Sequence, residues 1–313
     1  MLMIKRLVGL CLLMMSSVVC HAQSLAVNPA EVYRNAGQLS SMLNAIAQEM
    51  GIEAVDREPI AATRVSPREV YFQAATLYGK TSRLMFEFTS DEGDSISILR
   101  PDAKPEDVQN LLKQSEKHLH SVLKELNIQS NFPLPPYDDG KSPTDVFRLI
   151  VTLNRITNRL LDFKFSPAES HQKITEAIGV AAAILETYKD TNSVFAADDL
   201  QRGKTPRDVY HRLAKLYKQL TPIMTKMNSR CLILGDYEEK RRDVEPSDVF
   251  DLAVLMAGQL RYLHSKLPTA KAPIQAYYPG KVIPSQVYQR LSILHQQIDE
   301  LSNVHGLDLV AGN

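Results

Sequence analysis

Eight prolines recur at positions 29, 67, 105, 143, 167, 206, 246 and 284, and the residues around them repeat. The segments read NPAEVY, SPREVY, KPEDVQ, SPTDVF, SPAESH, TPRDVY, EPSDVF and IPSQVY, with successive prolines 38, 38, 38, 24, 39, 40 and 38 residues apart. Each recurring letter has a physical reading. Proline is tolerated at the first position of a helix, where its missing N–H is no loss and its φ is already helical. Ser, Thr or Asn precedes it in five copies and can cap the helix. The third helical position is acidic in seven copies, with Gln286 the exception, although acids make up only about one residue in nine. A carboxylate there reaches back to the N-cap N–H and suits the positive end of the helix dipole. Each segment therefore starts a helix, and the chain is an array of eight.

A 4-3-4-3 apolar stripe follows each start, as in Val32, Ala36, Leu39, Leu43, Ile46 and Met50, or Val209, Leu213, Leu216, Leu220, Ile223 and Met227. Such a stripe is the seam of a helix packed nearly parallel or antiparallel to its neighbours. The expected fold is all-α, with eight long helices from a degenerate repeat of roughly 38 residues. Pro222 is expected to kink helix six. Linkers of about fourteen residues, such as 52–65 and 128–141, can extend about 46–50 Å, against about 33–36 Å for a helix of 22–24 residues. They can return along a helix and start the next one parallel to it, although up-down packing with long loops fits the spacing too. Between helices four and five only about Lys164–Ser166 remain, too few to cross back, so that pair is expected to be antiparallel. Two four-helix halves follow, residues 23–165 and 166–313, which can pack as one domain.

The N-terminus carries Lys5 and Arg6, an apolar run from Leu7 to Val19, and Ala22 after Cys20 and His21. That is the layout of a secretory signal cleaved after Ala22, too short in its apolar part to span a membrane. A lipoprotein signal at Cys20 is the alternative, and the residues before the Cys suit it less well. Export to the periplasm or beyond is the expectation. Cys11 and Cys20 would leave with the signal, so Cys231 would be the one thiol of the mature chain and no internal disulfide could form. Lysine and arginine number 36, as do aspartate and glutamate. This balance lacks the basic footprint of a nucleic-acid binder, and no later stretch is long and apolar enough to cross a membrane.

Motifs for chemistry are scarce. Ala74 to Thr81 fits a relaxed phosphate-loop pattern ending Gly79-Lys80-Thr81. The repeat, however, puts these residues inside helix two, where no loop of free N–H groups can form. Glu116 with His120 and His295 with Asp299 stand one helical turn apart, a spacing more common for surface pairs than for metal sites. No catalytic motif, cofactor fingerprint or metal set emerges. The residue after the opening Val is aromatic in six copies: Tyr33, Tyr71, Phe147, Tyr210, Phe250 and Tyr288. Such rings can simply close one end of a core. If the helices are parallel, they gather with the positive helix ends into a candidate site for an aromatic or anionic ligand, with Lys104, Lys141, Lys204 and Lys281 adding charge. The functional expectation is a non-catalytic interaction or scaffold module that binds a protein partner or itself. The alternative is a binding or sensory module for a small or anionic ligand at the clustered helix N-termini.

Overall fold

The computed structural model describes residues 27–53, 57–94, 96, 100, 102–129, 131–162 and 164–307; the segment expected to be a signal, with Cys20, lies outside them. Eight helices each begin on one of the eight prolines: α1 Pro29–Glu49, α2 Pro67–Thr89, α3 Pro105–Glu125, α4 Pro143–Leu160, α5 Pro167–Leu185, α6 Pro206–Lys226, α7 Pro246–Ser265 and α8 Pro284–Val304. The capping chemistry explains the regularity. In α2 through α8 the third residue accepts the N-cap N–H: Glu69 from Ser66, Asp107 from Lys104, Asp145 from Ser142, Glu169 from Ser166, Asp208 from Thr205, Asp248 from Glu245 and Gln286 from Ile283, all within 2.7–3.0 Å. Gln286 fills the slot because an amide oxygen accepts the same bond; only the charge is lost. In α1 the side chain of Asn28 caps instead, accepting from Glu31 N at 2.9 Å.

Helix packing follows the seams. α1 and α2 each pack on both α3 and α4, giving the ring order α1-α3-α2-α4, while α5 and α6 each pack on both α7 and α8, giving α5-α7-α6-α8. Pro29, Pro67, Pro105 and Pro143, with Val32, Val70, Val108 and Val146, line one small void of about 20 Å³. The first turns of α1–α4 thus meet at one end, and these four helices are parallel. Pro167, Pro206, Pro246 and Pro284, with Val209, Val249 and Val287, meet the same way around a void of about 10 Å³. The two sets join where α2 lies on α7 and α4 touches it. Along that contact Arg68 meets Gln259 and Lys80 meets Asp251, so α2 and α7 run in opposite directions.

Parallel packing obliges a linker between neighbours of one set to travel back along the bundle, and three such linkers are gripped by helices as they pass. The α1–α2 linker lies on α4, where Arg159 donates to Glu53 O at 2.5 Å, Arg155 to Glu58 O at 2.9 Å and Arg148 to Ala62 O at 2.9 Å. The α3–α4 linker lies on α1, with Gln38 donating to Phe132 O and Arg34 to Pro135 O. The α5–α6 linker lies on α8 through Gln297, Gln296 and Gln289, which donate to the carbonyls of Ser193, Ala196 and Asp198. In each case helix numbers fall as linker numbers rise, the signature of a returning strap. Two straps also meet each other: β1, Ala62–Thr63, pairs antiparallel with β2, Ile233–Leu234. The only strands among the described residues are these two short ones.

Two details differ from the sequence reading. Helix four stops at Leu160, so residues 161–166 separate it from α5 rather than three. Leu161 is extended and buried, and beyond it Phe165 stacks on Phe250 at 4.5 Å. Burying Leu161 and bringing Phe165 onto Phe250 goes with the chain leaving the helix early. The second difference is in helix length, which runs from 18 to 23 residues rather than 22–24. α6 continues through Pro222 to Lys226. Among the described residues no helix is long and apolar enough to cross a membrane.

α2 and α7 are buried on nearly every face, and their contact is close. A Cβ added at Gly258 would lie 2.5 Å from the Phe72 ring, whereas one added at Gly79 meets nothing within 4 Å. Helix propensity favours alanine at both sites by about 1 kcal/mol, but overpacking costs about 1–3 kcal/mol. Gly79→Ala should raise the urea midpoint and Gly258→Ala should lower it.

Candidate functional site

The first-turn aromatics do not surround the point where the helices start. Phe147 and Tyr210 are fully buried, Tyr71 and Phe250 nearly so, and Tyr33 and Tyr288 half-buried. The point itself is lined by proline and valine, and the shallow dimple there holds only about 10–20 Å³, room for about one water. Each ring instead wedges between a helix start and its surroundings. Lys141 sits over Tyr33 at 4.8 Å, and Lys204 and Arg212 sit on Tyr288 at 4.4 and 4.5 Å. Two of the four expected lysines therefore already serve as cation–π partners of these rings.

The side chains with chemical potential are assembled elsewhere, in the seam between the two helix sets. Lys80, the lysine of the phosphate-loop-like segment, is 0% exposed inside α2; its Nζ holds both carboxylate oxygens of Asp251 at 2.8 and 3.0 Å and Asn154 O at 3.4 Å. The segment is helix throughout, and its lysine joins α2 to α7. One turn earlier in α7, Asp248 receives Arg57 at 2.8 Å and Arg155 at 3.0 Å while also capping its own helix. Glu69 has the same double duty in α2: it caps Ser66 and accepts from Arg68 at 2.7 Å and Gln259 at 2.6 Å. Gln259 in turn donates to Tyr217 Oη at 3.1 Å.

A third cluster closes the seam where the straps meet. Glu238 accepts from Tyr210 Oη at 2.5 Å, from Ala61 N at 2.7 Å and from Arg241 at 3.2 and 3.3 Å. Arg241, wholly buried, also donates to Glu58 O and to Asp243 at 3.1 Å. Tyr210 thus works as a hydrogen-bond donor in a structural network, and burial with the neighbouring Glu238 charge pushes its hydroxyl well above the usual tyrosine range. Burial pushes the Asp248 carboxyl up, yet Arg155 and Arg57 together hold it below the ordinary value. At Asp251 burial wins, and the carboxyl lies above its ordinary value despite Lys80.

Open grooves lie on the surface of the described residues, and two of them stand out by volume. One of about 490 Å³ runs between α1, α4 and the first strap, past Asn44, Ile52, Arg57, Arg155, Ile156 and Arg159. Arg57 and Arg155 there are already engaged by Asp243, Asp248 and backbone carbonyls. The other, about 430 Å³, lies along α6 and α8, with Asp208, His211, Arg212, Glu239 and His295 among its walls. Opposite charges are mixed along it. His120 with Glu116 and His295 with Asp299 are pairs at 3.7 and 3.4 Å, and no three His, Cys, Asp or Glu among the described residues converge to hold a metal. Cys231 is buried, and burial pushes its thiol up, away from reactivity. Comparison with family models, curated proteins and solved structures finds no match for the chain.

Removing one partner of the Lys80–Asp251 pair leaves a charge buried alone, which costs about 3–5 kcal/mol. Lys80→Met should lose that amount in urea unfolding, and Lys80→Met with Asp251→Leu should recover most of it. The two aspartates also carry opposite pH signatures. Asp248, lowered on folding, contributes stability above the ordinary carboxylate range that is lost as pH falls through its lowered value. Asp251, raised on folding, favours the folded state most at low pH, and that share fades as pH rises through its raised value. Stability measured against pH should therefore show a shallower acid limb in Asp248→Asn and a steeper one in Asp251→Asn.

Proposed function

We propose that the chain is an exported, non-catalytic interaction protein, built as two copies of one four-helix unit at residues 23–165 and 166–313. It meets its partner through the outer faces of its returning straps. One observation carries the reading. The buried charged groups are paired in the seam, where they hold the helix sets together, while the straps turn large apolar side chains outward. Leu134 and Tyr137 are exposed on the α3–α4 strap, and Ile274, Tyr277 and Tyr278 on the α7–α8 strap. Large apolar side chains exposed close together along one segment suit an interaction surface.

The equivalence of the units is supported by the shared ring order and by the matching straps, Pro133-Leu-Pro-Pro-Tyr137 and Pro273-Ile-Gln-Ala-Tyr277. Export is supported by the basic and apolar segments before Ala22. A ligand at the gathered helix starts has the parallel packing in its favour, but the room between the prolines argues against it.

Affinity capture from the producing cell's periplasmic extract, using the chain from residue 23, tests the reading. A retained partner should be lost when Leu134, Tyr137, Ile274 and Tyr277 are all changed to Ser. Retention unchanged in that variant would remove the straps from the account.

A further inference from the structure

We infer that the α7–α8 strap, residues 266–283, docks on an anionic lipid surface; the inference rests on the reading of the straps as interaction surfaces and names the partner of this one. Its backbone is turned inward. Gln172 of α5 donates to Ala276 O at 3.4 Å, and Gly179 faces Ile274 O so closely that an added Cβ would lie 3.0 Å from it. With the main chain pressed on α5, the side chains project: Ile274 and Tyr277 are each 82% exposed, Tyr278 59% and Ile283 48%. Tyrosines with an apolar body and a polar tip, beside an aliphatic group, suit the boundary between headgroups and acyl chains.

Charge selects the lipid. Between Asp251 and Asp299 the chain holds no acidic residue, while Arg261, Lys266, Lys271, Lys281 and Arg290 fall in that stretch. At the chain's average acid content, about five acids would be expected there. The acids nearby on α5 are already matched: Glu176 by Lys173 at 2.9 Å and Arg261 at 2.6 Å, and Glu186 by Lys271 at 3.2 Å. Lys266 and Lys281 are exposed and meet no carboxylate among the described residues; Lys266 lies 5.0 Å from the Tyr262 ring. An exposed aromatic and aliphatic strip flanked by lysines complements a negatively charged headgroup layer, where each lysine near the surface adds to the attraction.

The corresponding α3–α4 strap provides an internal contrast. It carries Asp138 and Asp139 where the α7–α8 strap carries Tyr278 and Pro279. Two straps of one design therefore differ in charge, and the acidic one should be repelled by the surface that attracts the other.

Co-sedimentation of the chain from residue 23 with vesicles of phosphatidylglycerol and phosphatidylcholine, against phosphatidylcholine alone, tests the inference. Binding should appear only with the anionic vesicles and weaken as salt rises. Lys266→Gln and Lys281→Gln should each weaken it about fivefold. Ile274→Ser with Tyr277→Ser and Tyr278→Ser should weaken it about tenfold or more, whereas Leu134→Ser with Tyr137→Ser should leave it unchanged. Urea midpoints equal to the parent's exclude unfolding as the cause. Equal binding to both vesicle types, or anionic binding untouched by the Ile274 and Tyr277 changes, would overturn the inference. If no vesicle binds while a captured protein is lost in the Ile274 and Tyr277 variant, the lipid assignment fails and the strap reading stands. If neither is observed, both fail.

Discussion

Four helix starts meeting at one point is the constraint from which the architecture follows. Proline at the first position and a hydrogen-bond acceptor at the third define where each helix begins, and Val three residues after each proline closes the meeting point in all but one copy, where Ser170 stands. Parallel neighbours then have their ends a full helix length apart, so the chain must spend residues on return. Those return segments cover the grooves of the bundle, with arginine and glutamine side chains from the helices satisfying their carbonyls. One economical starting device thereby generates both the helical core and its outer wrapping. Placing the positive ends of four helix dipoles side by side is electrostatically unfavourable, and the acidic third residue supplies a compensating negative charge at most starts.

Between the two helix sets the same device takes on a second task. Glu69 and Asp248 cap their helices and receive side chains from across the seam, so helix initiation and set-to-set packing share groups. Lys80 with Asp251 and Arg241 with Glu238 complete a buried set of ion pairs. Hydrophobic substitutes could match such pairs in stability, but a buried pair left half-made is costly, and the cost falls on every alternative register. The α2–α7 contact is thus fixed in register by charge and in distance by Gly258 against Phe72.

Much of this was legible in the residues themselves. The Pro-x-acid pattern marks seven of the eight helix starts and its Pro-x-Gln variant at Gln286 the eighth, because capping is local and involves residues three apart. The apolar stripes named the buried faces for the same reason. Helix ends were less legible: α4 stops at Leu160 because Leu161 and Phe165 find partners distant in sequence. The ion pairs were not visible at all, since Lys80 and Asp251 are 171 residues apart and nothing local marks either as paired. The aromatic slot is visible in the sequence, but not that Tyr210 reaches Glu238 or that Lys141 and Lys204 cover Tyr33 and Tyr288. For the α7–α8 strap a signal was present in the chain, the long stretch free of acids, and it acquires meaning only once the strap is seen to lie on the surface.

The parallel course of neighbouring helices is most directly tested by one distance. Glu49 and Lys124 are exposed and lie at the C-terminal ends of α1 and α3, which pack together. Spin labels at Glu49→Cys and Lys124→Cys, in a chain starting at residue 23 with Cys231→Ser, can be measured by pulsed electron resonance. Parallel helices with axes about 8–10 Å apart predict a single distance of about 20 Å once the label arms are included. An antiparallel pair would separate the labels by about a further helix length of 30 Å along the axis, and a distance well beyond about 30 Å would contradict the arrangement.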